Sequence, residues 1–184
     1  FKSRGPQVKS LIEEFEYPSL GPGQMYERMM ERVRQMNNQV LLRYQVTQVH
    51  HDHHRVLSVT ARTPQGEQTF PAGELINSMP ITELVTCMHP RPPAEVLAAA
   101  NQMSYRSLLT VNLLLDTPET LPDTWIYIHD PEVRVGRVQL FKNWSPALVP
   151  NENQSSRGLE YFCTEGDDLW TANDSDLIEL GKRE

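Results

Sequence analysis

Four histidines within five residues, His50-His51-Asp52-His53-His54, form the densest group of metal-capable side chains in the chain. A metal site needs imidazoles converging from one side at fixed spacing, whereas successive strand residues point to opposite faces and turn residues point outward. No distant Cys-His motif joins them, so the run reads as a solvated hairpin turn that takes up zinc or nickel only adventitiously, with no functional metal. The paired carboxylates Glu13-Glu14 and Asp167-Asp168 read as solvated charge rather than an acid/base pair. Cys87 and Cys163 lie far apart without Cys-x-x-Cys spacing, which suggests buried, reduced thiols in a cytosolic (cytoplasmic) protein. Gly-x-Ser-x-Gly, Gly-x-x-x-x-Gly-Lys-Ser/Thr and His-Glu-x-x-His are all absent, so hydrolase, P-loop and zincin chemistry have no footing. The single Gly-x-Gly, Gly21-Pro22-Gly23, lacks a third glycine and follows a proline-broken loop, so no pyrophosphate cradle can be placed there.

Composition narrows the partners. The chain has 184 residues, enough for a real core, and a net charge of -7 with its 17 Lys and Arg scattered. Binding phosphates of nucleic acid needs clustered cations, so the expected ligand is a small molecule. The longest apolar runs are far short of the roughly 20 residues that span a bilayer, and no signal or lipidation motif is visible. The start at Phe1 without methionine suggests an internal piece of a larger protein.

The elements that must position any site follow from periodicity. Ser10 to Tyr17 is mixed and amphipathic, and the loop Pro18-Ser-Leu-Gly-Pro-Gly23 precedes a helix from Gln24 to Met36, with Met25, Met29, Val33 and Met36 at helical spacing and expected to pack in a core. Free N–H groups of its first turn are expected to face whatever lies above the loop. Alternation predicts strands over Val40–Val49, Val56–Thr63 and Glu67–Phe70, with a buried fourth over Glu74–Ser78. Helices are expected over Ile81–Met88 and, opened by Pro93, Ala94–Met103. Tyr105–Leu115 is a long strand, apolar enough to expect cover on both faces. Strands at Thr124–His129, Val135–Lys142 and Leu159–Thr164 follow, with a long polar loop, a candidate lid, at Asn143–Arg157 and a final helix capped by Asp174 or Ser175. The fold class is therefore α+β, a mixed, mostly antiparallel sheet with three or four helices.

The run Leu41 to Pro80, two alternating strands, a polar turn and a third run ending in Ser-x-Pro, resembles the stretch that leads into the substrate domain of the flavin-dependent amine oxidase superfamily. That superfamily includes protoporphyrinogen oxidases, phytoene desaturases and UDP-galactopyranose mutases. Tyr17-Pro-Ser-Leu-Gly-Pro-Gly-Gln-Met-Tyr-Glu-Arg-Met-Met30 is similar to its Gly-rich loop and helix, and Leu75-Ile-Asn-Ser-Met-Pro-Ile-Thr-Glu-Leu84 to its return strand. The Gly-Pro-Gly-Gln-Met form is nearest the protoporphyrinogen oxidase and UDP-galactopyranose mutase branch. Two departures stand out: Asn37-Asn38 occupy positions where the family often has paired glycines, and the segments that bind the FAD pyrophosphate and flavin ring are not in this chain.

The resemblance implies a fragment of a two-domain flavoprotein oxidoreductase, with residues 1–85 belonging to its FAD domain and 86–184 to its substrate-binding domain. It implies FAD as the cofactor of the intact protein, contacted at Gly21, Gly23, Val46 (Val49 is the register alternative), Ser78 and Pro80. The substrate cavity would be lined by Arg106, Tyr127, His129, Arg137, Lys142 and Trp144. The catalytic residues are unassigned, and the isolated chain is expected to be inactive. A nucleotide-sugar substrate would require arginines that meet its pyrophosphate bidentately, and a porphyrinogen or lipid an apolar cavity. An isomerase of the mutase type and a stand-alone α+β binding or interaction domain remain open as alternatives. Strand edges left uncovered suggest pairing with the rest of the FAD domain, or homodimerisation.

Overall fold

The computed structural model describes residues 15–184, so most of the predicted amphipathic stretch from Ser10 and the Glu13-Glu14 pair lie outside the described residues. The described chain forms two compact units, one of residues 37–105 and one of residues up to 36 together with 106–184. The expected divide at 85/86 falls inside the first of these. Residues 81–105 pack with the hairpin strands because their short strand pairs with the first of them, as described next.

In the unit of residues 37–105, β1 (Gln45–His51), β2 (Val56–Thr63) and β3 (Gly66–Pro71) form an antiparallel meander, and β4 (Met88–His89) joins β1 in parallel, giving the order β3-β2-β1-β4. The predicted first strand begins five residues late. Arg43 sits at φ 64, a left-handed conformation that cannot be carried through a pleated strand. Val49, Ala61 and Val85 are buried, the last from α2 (Ile81–Cys87), which packs against α3 (Ala94–Asn101). The predicted buried strand over Glu74–Ser78 is absent, and Ile76 is 100% exposed. Asn77 explains the failure: its side chain donates to the Met79 carbonyl at 3.0 Å and accepts from the Met79 N–H at 3.2 Å, a local turn that competes with strand pairing.

In the other unit, α1 (Gly23–Gln35) ends on Arg32 and Arg34, cations that suit a helix C-terminus. Asn37 follows at φ 59, doing the work of a terminal glycine because Asn tolerates the left-handed region. The expectation that the α1 methionines are core is overturned: Met25, Met29 and Met36 are exposed, and α1 has no buried residue. A four-stranded antiparallel sheet carries the rest, in the order β5 (Arg106–Leu115), β8 (Ser155–Thr164), β7 (Arg137–Leu140), β6 (Trp125–Tyr127). One face of it buries Val111, Leu159, Tyr161 and Cys163, with Leu169 of α5 (Asp168–Thr171) and partly buried Leu177 and Leu180 of α6 (Asp174–Arg183).

Among the described residues the predicted cover on both faces of β5 is not found. Leu108 is 51% and Leu114 56% exposed, because an antiparallel sheet needs only one buried face. The predicted surface loop after Asn143 is also more ordered than expected. It holds the end of α4 (Phe141–Trp144), a 3-10 turn (Pro146–Leu148) capped by Ser145, and the first residues of β8, with Val149 and Ser155 buried. The final helix is capped by Asn173, whose side chain accepts from the Asp176 N–H at 3.0 Å, rather than by Asp174 or Ser175. The fold is α+β as expected, with four helices of seven residues or more and two single turns among the described residues. No helix there is long and apolar enough to cross a membrane.

Gly181 fixes the seating of α6. A β-carbon there would lie 2.8 Å from Val111 Cγ1 and 3.2 Å from Val111 Cβ, a buried β-branched side chain with little freedom to move. Gly181→Ala gains up to about 1 kcal/mol of helix propensity and costs about 1–3 kcal/mol of overpacking. Net destabilisation is therefore expected in urea unfolding, and a stabilised variant would show that the helix slides off the strand at no cost.

Candidate functional site

The face of the second sheet opposite the core is open, and strand alternation decides what stands on it. Cross-strand partners share a face, and the pairs Trp125 with Gln139, Tyr127 with Arg137, Arg137 with Glu160, and Leu108 with Phe162 place these residues together. Glu160 is the exception in such company, a carboxylate only 6% exposed on a face where Trp125, Tyr127 and Phe162 are exposed. A buried carboxylate must be paired to persist. Arg137 Nε donates to its Oε2, and Gln139 Nε2 to its Oε1 at 3.1 Å. Trp144 Nε1 in turn donates to Gln139 Oε1 at 3.0 Å, so one chain of hydrogen bonds ties Trp144, Gln139, Glu160 and Arg137 into a rigid unit.

Arg137 is held from both directions. Its guanidinium lies 4.9 Å from the Trp125 ring and 5.8 Å from the Tyr127 ring. The hydrogen bond to Glu160, opposed by partial desolvation, raises its pKa above the ordinary arginine value, so it is a permanent cation. Tyr127 stacks on His129 at 6.3 Å, which makes Trp125 and Tyr127 of β6 and His129 just beyond it an exposed aromatic row. Arg106 lies 5.1 Å over the Phe162 ring on β8. Phe162 itself needs Gly136, where a β-carbon would lie 2.8 Å from its ring. One end of the face is covered. Phe141 lies over Gly158, and Trp144 packs against Tyr17 at 5.0 Å and Phe15 at 5.8 Å.

The six residues expected to line a cavity are thus all in one unit, and the structure separates their roles. Arg137, Tyr127 and His129 are clustered, and Arg106 stands on the same face along β5. Trp144 acts through Gln139. Lys142 is committed elsewhere, its Nζ donating to the carbonyls of Pro118 at 3.3 Å and Glu152 at 2.6 Å. Sequence reading missed Trp125, Gln139 and Glu160. The signal was present in the alternation of odd-numbered residues in β7 and even-numbered residues in β8, which puts Glu160 opposite Arg137 once the register is known.

The positions assigned to FAD contact fall in both units. Val46 is half-buried in β1, Ser78 and Pro80 are exposed, Gly21 is buried at φ 85 near Leu148 and Tyr17, and Gly23 is exposed. The first turn of α1 does not offer the free donors expected of it: Gln24 N donates to Gly21 O and Met25 N to Pro22 O, both at 3.1 Å. In the histidine run, His50 and His51 belong to β1, with Asp52 beginning the turn. Its rings bond separately, His50 Nε2 with Thr60 Oγ1 at 2.9 Å and His51 Nε2 with Pro90 O at 3.0 Å. Among the described residues no three His, Cys, Asp or Glu side chains converge as a metal site would require.

Asp167 and Asp168 are not idle charge. Asp168 receives both terminal nitrogens of Arg134, at 2.7 and 2.8 Å, and Asp167 caps α5 by accepting from Trp170 N at 2.8 Å and from Thr164 N at 2.7 Å. The Thr164 and Trp170 donors hold the Asp167 carboxyl below the usual carboxylate range. A carboxyl depressed on folding contributes stability above its unfolded pKa and loses it as pH falls through the folded value. Asp167→Asn is therefore expected to flatten the loss of stability below about pH 4, read by urea unfolding across an acid series. An unchanged acid slope would contradict that role.

Neither family models nor curated proteins match the chain. Solved structures do. A reduced UDP-galactopyranose mutase superposes over 89% of the chain with a TM-score of 0.71 and 20% identity. A Pyrococcus furiosus protein covers 89% with a TM-score of 0.67 and 13% identity, and a protein assigned as an Exiguobacterium protoporphyrinogen oxidase covers 89% with a TM-score of 0.60 and 15% identity. At such identities the likeness defines the fold alone. The chain spans 34–38% of the length of these three proteins.

Proposed function

We propose that this chain is the substrate-side part of an FAD-dependent oxidoreductase of the amine oxidase and protoporphyrinogen oxidase type, and that the open face of the second sheet is a wall of its substrate cavity. The observation that carries the reading is the buried Glu160 holding Arg137 beside the exposed rings of Trp125 and Tyr127. Burying a carboxylate to fix one cation costs stability that a merely structural sheet has no reason to give up. The shared fold with a UDP-galactopyranose mutase favours an isomerase as the second reading, since a fixed arginine beside aromatic rings also suits an anionic nucleotide sugar.

The residues present do not fit the phosphates of FAD. The Gln24 and Met25 N–H groups in the first turn of α1 are spent on the Gly21 and Pro22 carbonyls, and no Gly-x-Gly-x-x-Gly is available. In this reading other segments of a longer protein hold the cofactor, and Val46 contributes at most the backbone edge of β1. What this chain's own residues do is orient: Glu160 and Gln139 set Arg137, and the aromatic row supplies a flat surface against which a ligand ring can lie.

The test uses the longer, flavin-loaded protein and whichever of an amine, a porphyrinogen or UDP-galactopyranose it turns over. Trp125→Ala is expected to raise KM about tenfold, the equivalent of 1.4 kcal/mol, with flavin content unchanged. Loss of flavin without a change in KM would place Trp125 in a structural role and overturn the assignment of this face.

A further inference from the structure

β5 is an edge strand ten residues long; among the described residues it pairs only with β8, and its outer edge is a row of backbone groups with no partner strand. Such an edge is a template for another strand. The strand and the residue just past its end, Arg106-Ser-Leu-Leu-Thr-Val-Asn-Leu-Leu-Leu-Asp116, are close to self-complementary when run against themselves. With a two-fold axis at Val111, the antiparallel register sets Arg106 opposite Asp116, Leu108 opposite Leu114, Leu109 opposite Leu113 and Thr110 opposite Asn112. Ser107 opposite Leu115 is the one mismatch, and the only two charges meet their opposites at both ends. Strand alternation puts Leu108 and Leu114 on the open face, where both are exposed in the single chain, and Leu109 and Leu113 on the core face, partly buried.

We infer that β5 pairs with β5 of a second copy in this register, joining two four-stranded sheets into one eight-stranded sheet. Two copies at -7 each repel, so the attraction has to be local, and the register supplies it in two ion pairs and two exposed leucine pairs. Neighbouring registers are worse. A shift of the axis to Thr110 leaves Arg106 facing Leu114, and the leucines facing Arg106 and Asn112. The contact is isologous and closed, so it ends at a dimer rather than a fibre.

Sedimentation equilibrium of the 184-residue chain from micromolar concentration upward tests this, with charge reversal as the specific probe. The wild type is expected to dimerise. Arg106→Glu and Asp116→Arg each set like charges opposite one another at both ends of the seam and are expected to weaken the dimer about tenfold. The double variant, Arg106→Glu with Asp116→Arg, restores opposite charges and is expected to recover most of the affinity. Circular dichroism of each variant separates unfolding from dissociation, and the recovered double variant does so independently. A chain that stays monomeric overturns the inference. So does a dimer indifferent to either single reversal, or one that the double variant does not restore.

Discussion

Arg137→Met is expected to destabilise the sheet unit that carries it by about 3 kcal/mol, because it leaves a buried carboxylate without its cation. The asymmetry of the pair sets the order of effects. The Glu160 side chain is 7% exposed and that of Arg137 20%, so losing the arginine strands the more deeply buried charge, while Glu160→Gln leaves a cation that can still reach water. Arg137→Met should therefore cost more than Glu160→Gln. Replacing both, Arg137→Met with Glu160→Leu, should recover most of the loss, since an apolar pair of similar volume needs no compensation. Urea unfolding of the four proteins reads this directly. A single variant within about 1 kcal/mol of wild type, or a double variant worse than the single, would mean that Glu160 is solvated and that the organised face does not exist.

Tyr161→Ala is the second large effect. Tyr161 is 0% exposed at the centre of the core that β5, β8, α5 and α6 share, and truncating a buried aromatic costs about 3–5 kcal/mol. Domains are stable by only about 5–15 kcal/mol, so this variant is expected to leave the unit partly unfolded at room temperature. The conservative change tests a different property. Burial, with the negative charge of Glu184 adding to it, pushes the Tyr161 phenol up to about 12. A phenol raised on folding contributes stability that is intact below its unfolded pKa of about 10 and lost as pH rises toward the folded value. Tyr161→Phe should thus remove part of the alkaline loss of stability between those limits. Identical alkaline profiles for the two proteins would show that the phenol is solvated.

Much of the fold is legible in the sequence because period and punctuation agree. Val56–Thr63 is a strand from end to end, Pro80 and Pro93 open α2 and α3, and the proline-glycine loop before Gln24 delivers α1. The failures share a cause, which is that apolar spacing tells what a segment could bury and not whether a partner is at hand. Leu75 and Ile76 alternate as a strand would, yet Asn77 turns the backbone first. The α1 methionines have helical spacing and no core to enter among the described residues. Asn143 to Arg157 has no period at all, yet Ser145 caps a turn there and the Lys142 ammonium holds the Pro118 and Glu152 carbonyls.

The candidate site was half legible. Arg137, Tyr127 and His129 are chemically conspicuous and lie together. Glu160 was not, because its meaning comes from a register with β7 that spans 23 positions in sequence and from a burial that no local pattern reveals. Gln139 and Trp125 become visible only once that pair is in place.

The measurement that bears most directly on the proposed function is the visible absorption spectrum of protein purified from the uninterrupted gene, recorded beside the 184-residue chain mixed with FAD. A bound-flavin band is expected in the longer protein, and none retained by the isolated chain after gel filtration. A longer protein without flavin would contradict it and leave the open face of the second sheet as the surface of a binding domain.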